Sequence, residues 1–224
     1  MSAQVPVIAI DGPGGAGKGT VSRLLAQRLG YTLLESGALY RALALAALQR
    51  GISLDNTVGL SGLAAELNVT FTSDAHNQAR TVLYGRDVTD ALCSEACGSA
   101  ASRLASIPAV RAALLSRQRD FRRSPGLVAE GRDMGTVVFP DAKPKIFLTA
   151  SLEERARRRY KQLMEQGFSA NLNILLKELA ERDERDVKRA VAPLIPAQDA
   201  VVIDSTGHGI DEVLASVLSL VDDV

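Results

Sequence analysis

The sequence is poor in several residue types that would each point to a particular class of protein. It has no tryptophan, two cysteines and two histidines among 224 residues, and aromatic residues make up only 4%. So few cysteines exclude a disulfide scaffold. Cys93 and Cys97 lie four positions apart in DALCSEACGSAA, which we interpret as one helix carrying two reduced, packed cysteines. Because His76 and His208 stand elsewhere in the sequence, the spacing of a metal site is missing.

An excess of charge of one sign is also missing. Lys+Arg and Asp+Glu both number 26, so the formal net charge is zero and no global field favours nucleic acid or an anionic membrane. No run approaches the ~18 apolar residues of a membrane helix, and the N-terminus lacks the pattern of a secretory signal. We therefore expect a soluble, cytoplasmic monomer that binds neither nucleic acid nor membrane.

The apolar residues that are present alternate with helical patterns. Each apolar run is followed by a polar or glycine-rich turn and then by a helix-like segment, which is typical of a buried parallel sheet. The sequence therefore predicts an α/β fold with a five-stranded parallel sheet. The predicted strands lie at 5–10, 31–34, 127–129, 145–150 and 200–204.

Several local signals predict where helices begin and end. Ser151 followed by Glu154 forms a capping-box pattern, Gly167 suits the end of that helix, and Pro108 suits a first helical turn. Pro193 and Pro196 mark the turn into the last strand. Between 67 and 89 the pattern changes to short β-branched runs, which predicts a small antiparallel sheet inserted into the α/β core.

The most specific motif is GPGGAGKGT at 12–20. Gly12, Gly17 and Lys18 fill the first fixed positions of the P-loop pattern, in which backbone N–H groups and a lysine hold phosphates. Gly19 stands where the pattern has Ser or Thr, and Thr20 follows it. The residues predicted to bind ATP are Gly12, Pro13, Gly14, Gly15, Ala16, Gly17, Lys18, Gly19 and Thr20.

Further stretches resemble the nucleoside monophosphate kinases, and specifically the bacterial cytidylate kinases. These stretches are the GKGT ending of the P-loop, LLESGALYR at 33–41, EGRDMGTVVFPDA at 130–142, SLEERARRRY at 151–160 and RDERDVKRAVAPL at 182–194. The resemblance runs over essentially the whole chain. It implies a P-loop three-layer α/β/α sandwich that transfers the γ-phosphoryl group of ATP to CMP or dCMP, with Mg²⁺ as cofactor.

The resemblance also implies an acceptor site. Arg41, Arg132 and Arg189 would hold the monophosphate, which fits the charge neutralisation that joining two polyanions demands. Cytosine has an amine donor beside two acceptors, and Asp133 and Arg111 would read them. The remaining acceptor residues implied are Ser36, Ser102, Arg182 and Asp186.

Asp186 and Asp11 each have a second interpretation. Asp186 would accept from ribose hydroxyls, but Arg182 and Asp186 lie four apart and also suit an ordinary helical ion pair. Asp11, which ends the first predicted strand, either assists Mg²⁺ through water or serves only in the turn. We predict no direct protein ligand for Mg²⁺ and expect phosphates and water to supply most of its shell.

The arginine-rich segment SLEERARRRY is similar to the lid of this family, which closes over the triphosphate and excludes water. Helical spacing places Arg155, Arg158 and Arg159 on one face and Arg157 towards solvent. We therefore assign the transfer contacts to Arg155 and Arg159, with Arg158 as the alternate, beside Lys18. No general base is needed, since a phosphate oxygen is already largely ionised at neutral pH.

The predicted organisation is one kinase domain over 1–224. Its core comprises 1–60, 93–150 and 184–224, its monophosphate-binding insertion lies at about 61–92, and its lid at about 151–183. Two alternatives stay open at this point. One is a UMP/CMP or other nucleoside monophosphate kinase, and the other is a P-loop nucleotide-binding switch or ATPase that transfers nothing to a small acceptor.

Overall fold

The computed structural model of the chain describes residues 4–73, 79–165 and 167–222. The chain consists of two compact units: unit 1 comprises Met1–Leu33 and Arg122–Val224, and unit 2 comprises Leu34–Phe121. His76 lies outside the described residues. Within the described ranges, no helix has both the length and the apolar character needed to cross a membrane.

A five-stranded sheet in the order β2-β6-β1-β7-β8 forms the framework of unit 1. The pairs β1/β6, β1/β7 and β7/β8 are parallel. The strands are β1 (Val7–Asp11), β2 (Thr32–Glu35), β6 (Leu127–Gly131), β7 (Lys145–Thr149) and β8 (Val201–Asp204). Every residue of the central strand β1 is buried, as its apolar sequence predicts. The five predicted strands and their parallel arrangement are therefore confirmed.

Helices flank this sheet, and a short turn of π-helix follows β6. The helices of unit 1 are α1 (Lys18–Leu29), α7 (Leu152–Glu165), α8 (Leu172–Val187) and α9 (Ile210–Asp222), and the π turn is Met134–Val138. Side chains from β1, β6, β7, α1 and α9 form one apolar core. As expected from Pro193 and Pro196, the segment between α8 and β8 contains no helix or strand.

Unit 2 consists mainly of helices with a small antiparallel sheet. Its helices are α2 (Ser36–Gln49), α3 (Thr57–Ala65), α4 (Thr89–Leu92), α5 (Glu95–Leu104) and α6 (Pro108–Arg119). The sheet has the order β3-β4-β5, with β3 (Val69–Ser73), β4 (Ala79–Leu83) and β5 (Arg86–Asp87). The antiparallel sheet predicted between 67 and 89 is therefore confirmed, and so is Pro108 in the first turn of α6.

The single helix predicted across Cys93 and Cys97 is wrong. The chain leaves the helix after Leu92, and Ser94 starts a new one by accepting a hydrogen bond from the Cys97 N–H at 3.2 Å. Serine at this position competes for backbone N–H groups, which favours a helix start over a helix interior. Cys93 is half-buried and Cys97 is buried, and neither forms a disulfide.

The capping box predicted for α7 is only half present. Ser151 Oγ accepts from the Glu154 N–H at 3.2 Å. The reciprocal bond is replaced, because Glu154 Oε1 accepts from Arg158 and the Ser151 N–H donates to Thr206 Oγ1. At the other end of the helix, Gly167 has a φ of 80° and donates to the Met164 carbonyl at 3.0 Å, so the predicted helix end is confirmed.

Candidate functional site

The P-loop connects β1 to α1 in a backbone conformation that demands glycine. Gly12, Gly15 and Gly17 have φ values of 146°, 79° and 90°. A Cβ at Gly12 would overlap the Leu148 carbonyl oxygen, and one at Gly15 would lie 3.0 Å from Arg155 Cβ. Helix α1 begins at Lys18, so its first N–H groups add a positive end to the loop. The loop therefore has the shape and polarity of a phosphate site.

Lys18 lies buried against its own loop. Its Nζ donates to the Pro13 carbonyl at 2.8 Å and lies 3.4 Å from Glu130 Oε1. The pKa of Lys18 falls to about 7, mainly because of burial and also because of Arg132, while Glu130 opposes the fall. A buried cation of this kind is costly without an anion, so a bound phosphate would relieve the cost.

Parallel strands bring other functional segments to the edge of the sheet where the P-loop begins. Because the carboxyl ends of parallel strands meet at one edge, the segments after β6, β7 and β8 gather beside the segment after β1. Arg132 and Asp133 follow β6, Arg155 follows β7 and Ser205 follows β8. This geometry explains how residues far apart in the sequence surround one loop.

Arg155 is buried beneath the P-loop and makes three described bonds. Nη1 donates to the Gly14 carbonyl at 3.1 Å and Nε donates to the Ala150 carbonyl at 3.0 Å. Nη2 pairs with Asp183 Oδ2 at 2.7 Å. Arg155 thus links the start of α7 and the helix α8 to the loop. No local sequence signal points to Asp183, which lies between the predicted residues Arg182 and Asp186.

The other arginines of α7 have different surroundings. Arg158 donates to Ser205 Oγ at 2.9 Å, pairs with Glu154 at 2.9 Å, and its Nη1 lies 3.7 Å from a Cβ built on Gly17. The bond described for Arg159 goes to Gln162 on the same helix. Arg157 is exposed, as its helical position predicts. Arg155 and Arg158 are therefore the α7 cations that the structure places against the P-loop.

Arg132 and Asp186 form a buried ion pair, with Nε and Oδ2 2.9 Å apart. Burial opposes ionisation of Asp186, but Arg132, Arg182 and Arg189 together hold its pKa below the usual range. A Cβ on Gly14 would lie 3.5 Å from Arg132 and 3.9 Å from Arg182. The predicted acceptor residues on α8 therefore lie beside the P-loop, and the described ion pair of Asp186 reaches across to Arg132.

Asp11 fixes the π turn that follows Asp133. Its two carboxylate oxygens accept from the N–H groups of Met134 and Gly135, each at 2.8 Å. Burial raises the pKa of Asp11 to about 6, although both backbone bonds oppose the rise. These two hydrogen bonds therefore support the interpretation of Asp11 as a turn residue. Asp133, directly before the turn, is buried as well.

The predicted site residues of unit 2 are also partly or fully buried and bonded within that unit. Ser36 Oγ donates to Gln118 Oε1 at 3.1 Å, Arg41 Nη1 donates to the Leu92 carbonyl at 2.6 Å, and Arg111 Nη1 donates to the Ala105 carbonyl at 3.2 Å. Ser102 is buried on α5. Gln118 was missed by the sequence analysis, although it lies two helical turns after Arg111 and hence on the same face of α6.

The described residues contain no group of three or more His, Cys, Asp or Glu side chains arranged to hold a metal. The exposed Thr20, in the first turn of α1, is the hydroxyl that the P-loop offers.

Comparisons with known proteins agree over nearly the whole chain. A family model described as cytidylate kinase matches residues 8–223. A relative named cytidylate kinase from Shewanella loihica (strain ATCC BAA-1088 / PV-4) is 57% identical over 219 residues, which are 98% of this chain and 95% of that relative. Another of that name, from Shewanella sediminis (strain HAW-EB3), is 58% identical over 215 residues, 96% of this chain and 94% of the relative.

A solved structure supports the fold alone. It is that of an uncharacterized protein from Eubacterium ventriosum ATCC 27560, with a TM-score of 0.51 and 15% sequence identity over 98% of this chain and 99% of that one. The family model and the relatives, by contrast, match the sequence itself, including the P-loop and the arginine-rich segments around it. The chain therefore belongs to the cytidylate kinase family.

Proposed function

We infer that this chain transfers the γ-phosphoryl group of ATP to CMP or dCMP, giving CDP or dCDP and ADP. One structural observation carries the inference beyond the family match. Around the P-loop, unit 1 places not only Lys18 but also Arg132, Arg155, Arg158 and Arg182. A switch that only binds and hydrolyses a nucleotide has no need of so many cations. An enzyme that brings two polyanions together does need them.

On the donor side, we propose that the loop 12–20 holds the β- and γ-phosphates of ATP. Glycines adopt these positive φ angles at little steric cost, so the backbone N–H groups of the loop can approach phosphate oxygens, and Lys18 would exchange the Pro13 carbonyl and Glu130 for phosphate. Arg158 and Arg159 would meet the charge that develops during transfer, while Arg155, which bonds the Gly14 and Ala150 carbonyls and Asp183, would hold the loop from its other side. We propose that the lid, about 151–183, keeps water from competing with the acceptor.

On the acceptor side, the proposal assigns residues unit by unit. In unit 1, Arg132 and Arg189 would neutralise the monophosphate, Asp186 beside Arg182 would accept from the ribose, and Asp133 would accept from the cytosine amine. In unit 2, the residues assigned to CMP are Ser36, Arg41, Ser102 and Arg111. These side chains are largely buried and already bonded, so they are held in place before the substrate arrives.

The remaining parts of the proposal concern the cofactor and the surroundings. Mg²⁺ would be carried by phosphate oxygens and water, with Thr20 as the hydroxyl nearest to it, because both oxygens of Asp11 are engaged by backbone N–H groups. We propose that the chain acts as a monomer in the cytoplasm, without nucleic-acid or membrane partners. The monophosphate-binding insertion is proposed at about 61–92 within unit 2.

An acceptor panel tests the proposal. ADP release with MgATP is measured alone and then with CMP, dCMP, UMP, AMP, GMP or TMP at equal concentration. We expect strong turnover with CMP and dCMP and weak turnover with the others. Equal turnover of UMP would keep the transfer reaction but remove the assignment of Asp133 to the base. ATP consumption that no acceptor stimulates would contradict the kinase itself and favour an ATPase.

A further inference from the structure

The orientation of one peptide plane in the P-loop depends on a side chain from a distant helix. Arg155 Nη1 donates to the Gly14 carbonyl at 3.1 Å, although the two residues are separated by 141 positions in the sequence. In a trans peptide the carbonyl of one residue and the N–H of the next point in opposite directions. The Gly15 N–H therefore points away from Arg155.

This N–H is available to a ligand. Among the described residues nothing accepts a hydrogen bond from the Gly15 N–H, and Gly15 itself is exposed. The opposite side of Gly15 is closed, because a Cβ built there would lie 3.0 Å from Arg155 Cβ and 3.2 Å from the Arg155 carbonyl oxygen. Glycine has little resistance to rotation of its peptide planes, so the bond to Arg155 is what keeps this one in place.

Arg155 in turn depends on Asp183. The side chains are 7% and 21% exposed, and the 2.7 Å ion pair supplies Arg155 with a carboxylate in addition to two backbone carbonyls. A buried guanidinium without an anionic partner is costly, and it would turn towards water or towards another carboxylate. The ion pair thus fixes the direction in which Arg155 donates to Gly14.

We propose that Asp183 is a positioning residue for the phosphoryl donor. Its carboxylate holds Arg155, Arg155 holds the Gly14 carbonyl, and the Gly14–Gly15 peptide consequently presents its N–H to a donor phosphate. Asp183 itself touches no substrate in this assignment. The inference rests on the proposed function only in so far as the P-loop binds the phosphates of ATP.

The proposal predicts that Asp183→Asn weakens phosphate binding, whereas the change in charge alone would strengthen it. Asp183→Asn removes a negative charge from the surroundings of an anionic ligand, and simple electrostatics would then strengthen phosphate binding. Loss of the positioning instead weakens it. Because a charge-assisted hydrogen bond from the Gly15 N–H to the phosphate is lost, we expect the Kd for MgADP and the KM for ATP to rise about tenfold or more.

The experiment compares MgADP binding by calorimetry in the wild type, Asp183→Asn and Glu184→Gln. Glu184 is the matched control, since it is the next residue of α8 and carries the same charge, but it pairs with Lys188 on the surface at 2.6 Å. Its substitution should change the Kd by no more than about twofold. Thermal unfolding of each variant shows that the fold is retained.

A double-substitution cycle tests the route through Arg155. If Asp183 acts through Arg155, Asp183→Asn should cause little further loss of MgADP affinity in an Arg155→Lys background. Equal losses in both backgrounds, or wild-type or tighter MgADP binding by Asp183→Asn, would overturn the proposal. If Asp183→Asn does not fold, Asp183→Glu is measured instead, because it keeps the charge. Its Kd for MgADP is expected between those of the wild type and Arg155→Lys. A wild-type Kd for Asp183→Glu would count against the proposal.

This experiment can fail independently of the proposed function. Binding of MgADP needs neither CMP nor turnover, so the comparison remains decisive even if CMP does not stimulate ATP consumption. Conversely, an active CMP kinase whose Asp183→Asn variant binds MgADP normally would keep the function and remove the positioning role.

Discussion

Lys18 is the residue at which stability and function conflict most directly. Burial lowers its pKa to about 7 in the folded protein, whereas an unfolded chain gives lysine its usual value of 10.5. Between these two values the unfolded state binds more protons, so the stability of the free protein rises with pH in this interval. At lower pH the buried charge is present in full and reduces stability.

Lys18→Met therefore separates the effect of Lys18 on stability from its contact with phosphate. We expect it to raise the thermal unfolding temperature more at about pH 6.5 than at about pH 9.5, because the penalty it removes is largest where Lys18 is charged. MgADP affinity should fall about tenfold or more, since the contact to phosphate is lost. Thermal unfolding at both pH values and calorimetry check this. A stability gain that does not depend on pH would contradict the assigned pKa.

Asp133 tests the base assignment at the same scale. With Asp133→Ala the acceptor for the cytosine amine is removed, while the uracil carbonyl no longer faces a carboxylate. We expect the ratio of kcat/KM for CMP to that for UMP to fall about tenfold or more, as a lost contact of about 1–3 kcal/mol implies. The exposed Asp211 on α9 supplies the control Asp211→Ala, whose ratio should equal the wild type. An unchanged ratio in Asp133→Ala would refute the assignment.

At the level of single residues, the sequence gives its clearest signal where spacing along the chain carries the chemistry. Gly12, Gly17 and Lys18 belong to one continuous motif, and the structure gives them the backbone angles and burial that the motif requires. Asp183 and Ser205 had no such signal. Their contacts with Arg155 and Arg158 join segments that only the parallel sheet brings together, and such pairs are not visible in local sequence.

At the scale of elements, helix α8 combines the cap at its start with proposed acceptor residues near its end. Asn171 accepts from the N–H groups of Asn173 and Ile174 at 2.9 and 3.2 Å. Asn171→Ala should cost about 1 kcal/mol, which lowers the unfolding temperature by roughly 2–4 °C and speeds hydrogen exchange in the first turns of α8. Thermal unfolding and exchange mass spectrometry measure both.

The control lies two positions further along the same helix. Asn173→Ala removes the same side chain where it caps nothing that the structure describes, and alanine is the better helix former. We expect no loss of stability, or a slight gain. Equal destabilisation by Asn171→Ala and Asn173→Ala would show that the side chain of Asn171 does not stabilise the helix as a cap.

Elements were predictable where one pattern dominates a segment. The five apolar runs became strands, but only the central strand β1 is buried at every residue, whereas the edge strand β8 is largely exposed. The helix across 93–97 was predicted wrongly because Ala91 and Leu92 before it and the alanine-rich stretch after it favour helix, whereas the Cys97 N–H donates to Ser94 Oγ and a new helix begins there. The second half of the α7 capping box failed for a tertiary reason, since Arg158 and Thr206 take the places of the local partners.

At the scale of the whole molecule, the P-loop and its cations belong to unit 1. Under the proposed function, saturating MgADP should therefore stabilise the protein by mass action. At 100 times its Kd the gain is about 2.7 kcal/mol, or roughly 5–10 °C in unfolding temperature for a chain of this size. Lys18→Met should show a much smaller shift at the same concentration, because its affinity is reduced.

Hydrogen exchange can follow the two substrates separately through the molecule. MgADP alone should slow exchange at 12–20, 150–159 and 205–208, since the described contacts of the P-loop lie in these segments. Added CMP should extend the protection to the parts of unit 2 that carry Ser36, Arg41, Ser102 and Arg111. Protection there by MgADP alone would contradict the assignment of these residues to the acceptor. If CMP changed exchange only within unit 1, the acceptor residues proposed for unit 2 would be wrong, while Arg132, Asp133 and Asp186 would keep their assignment.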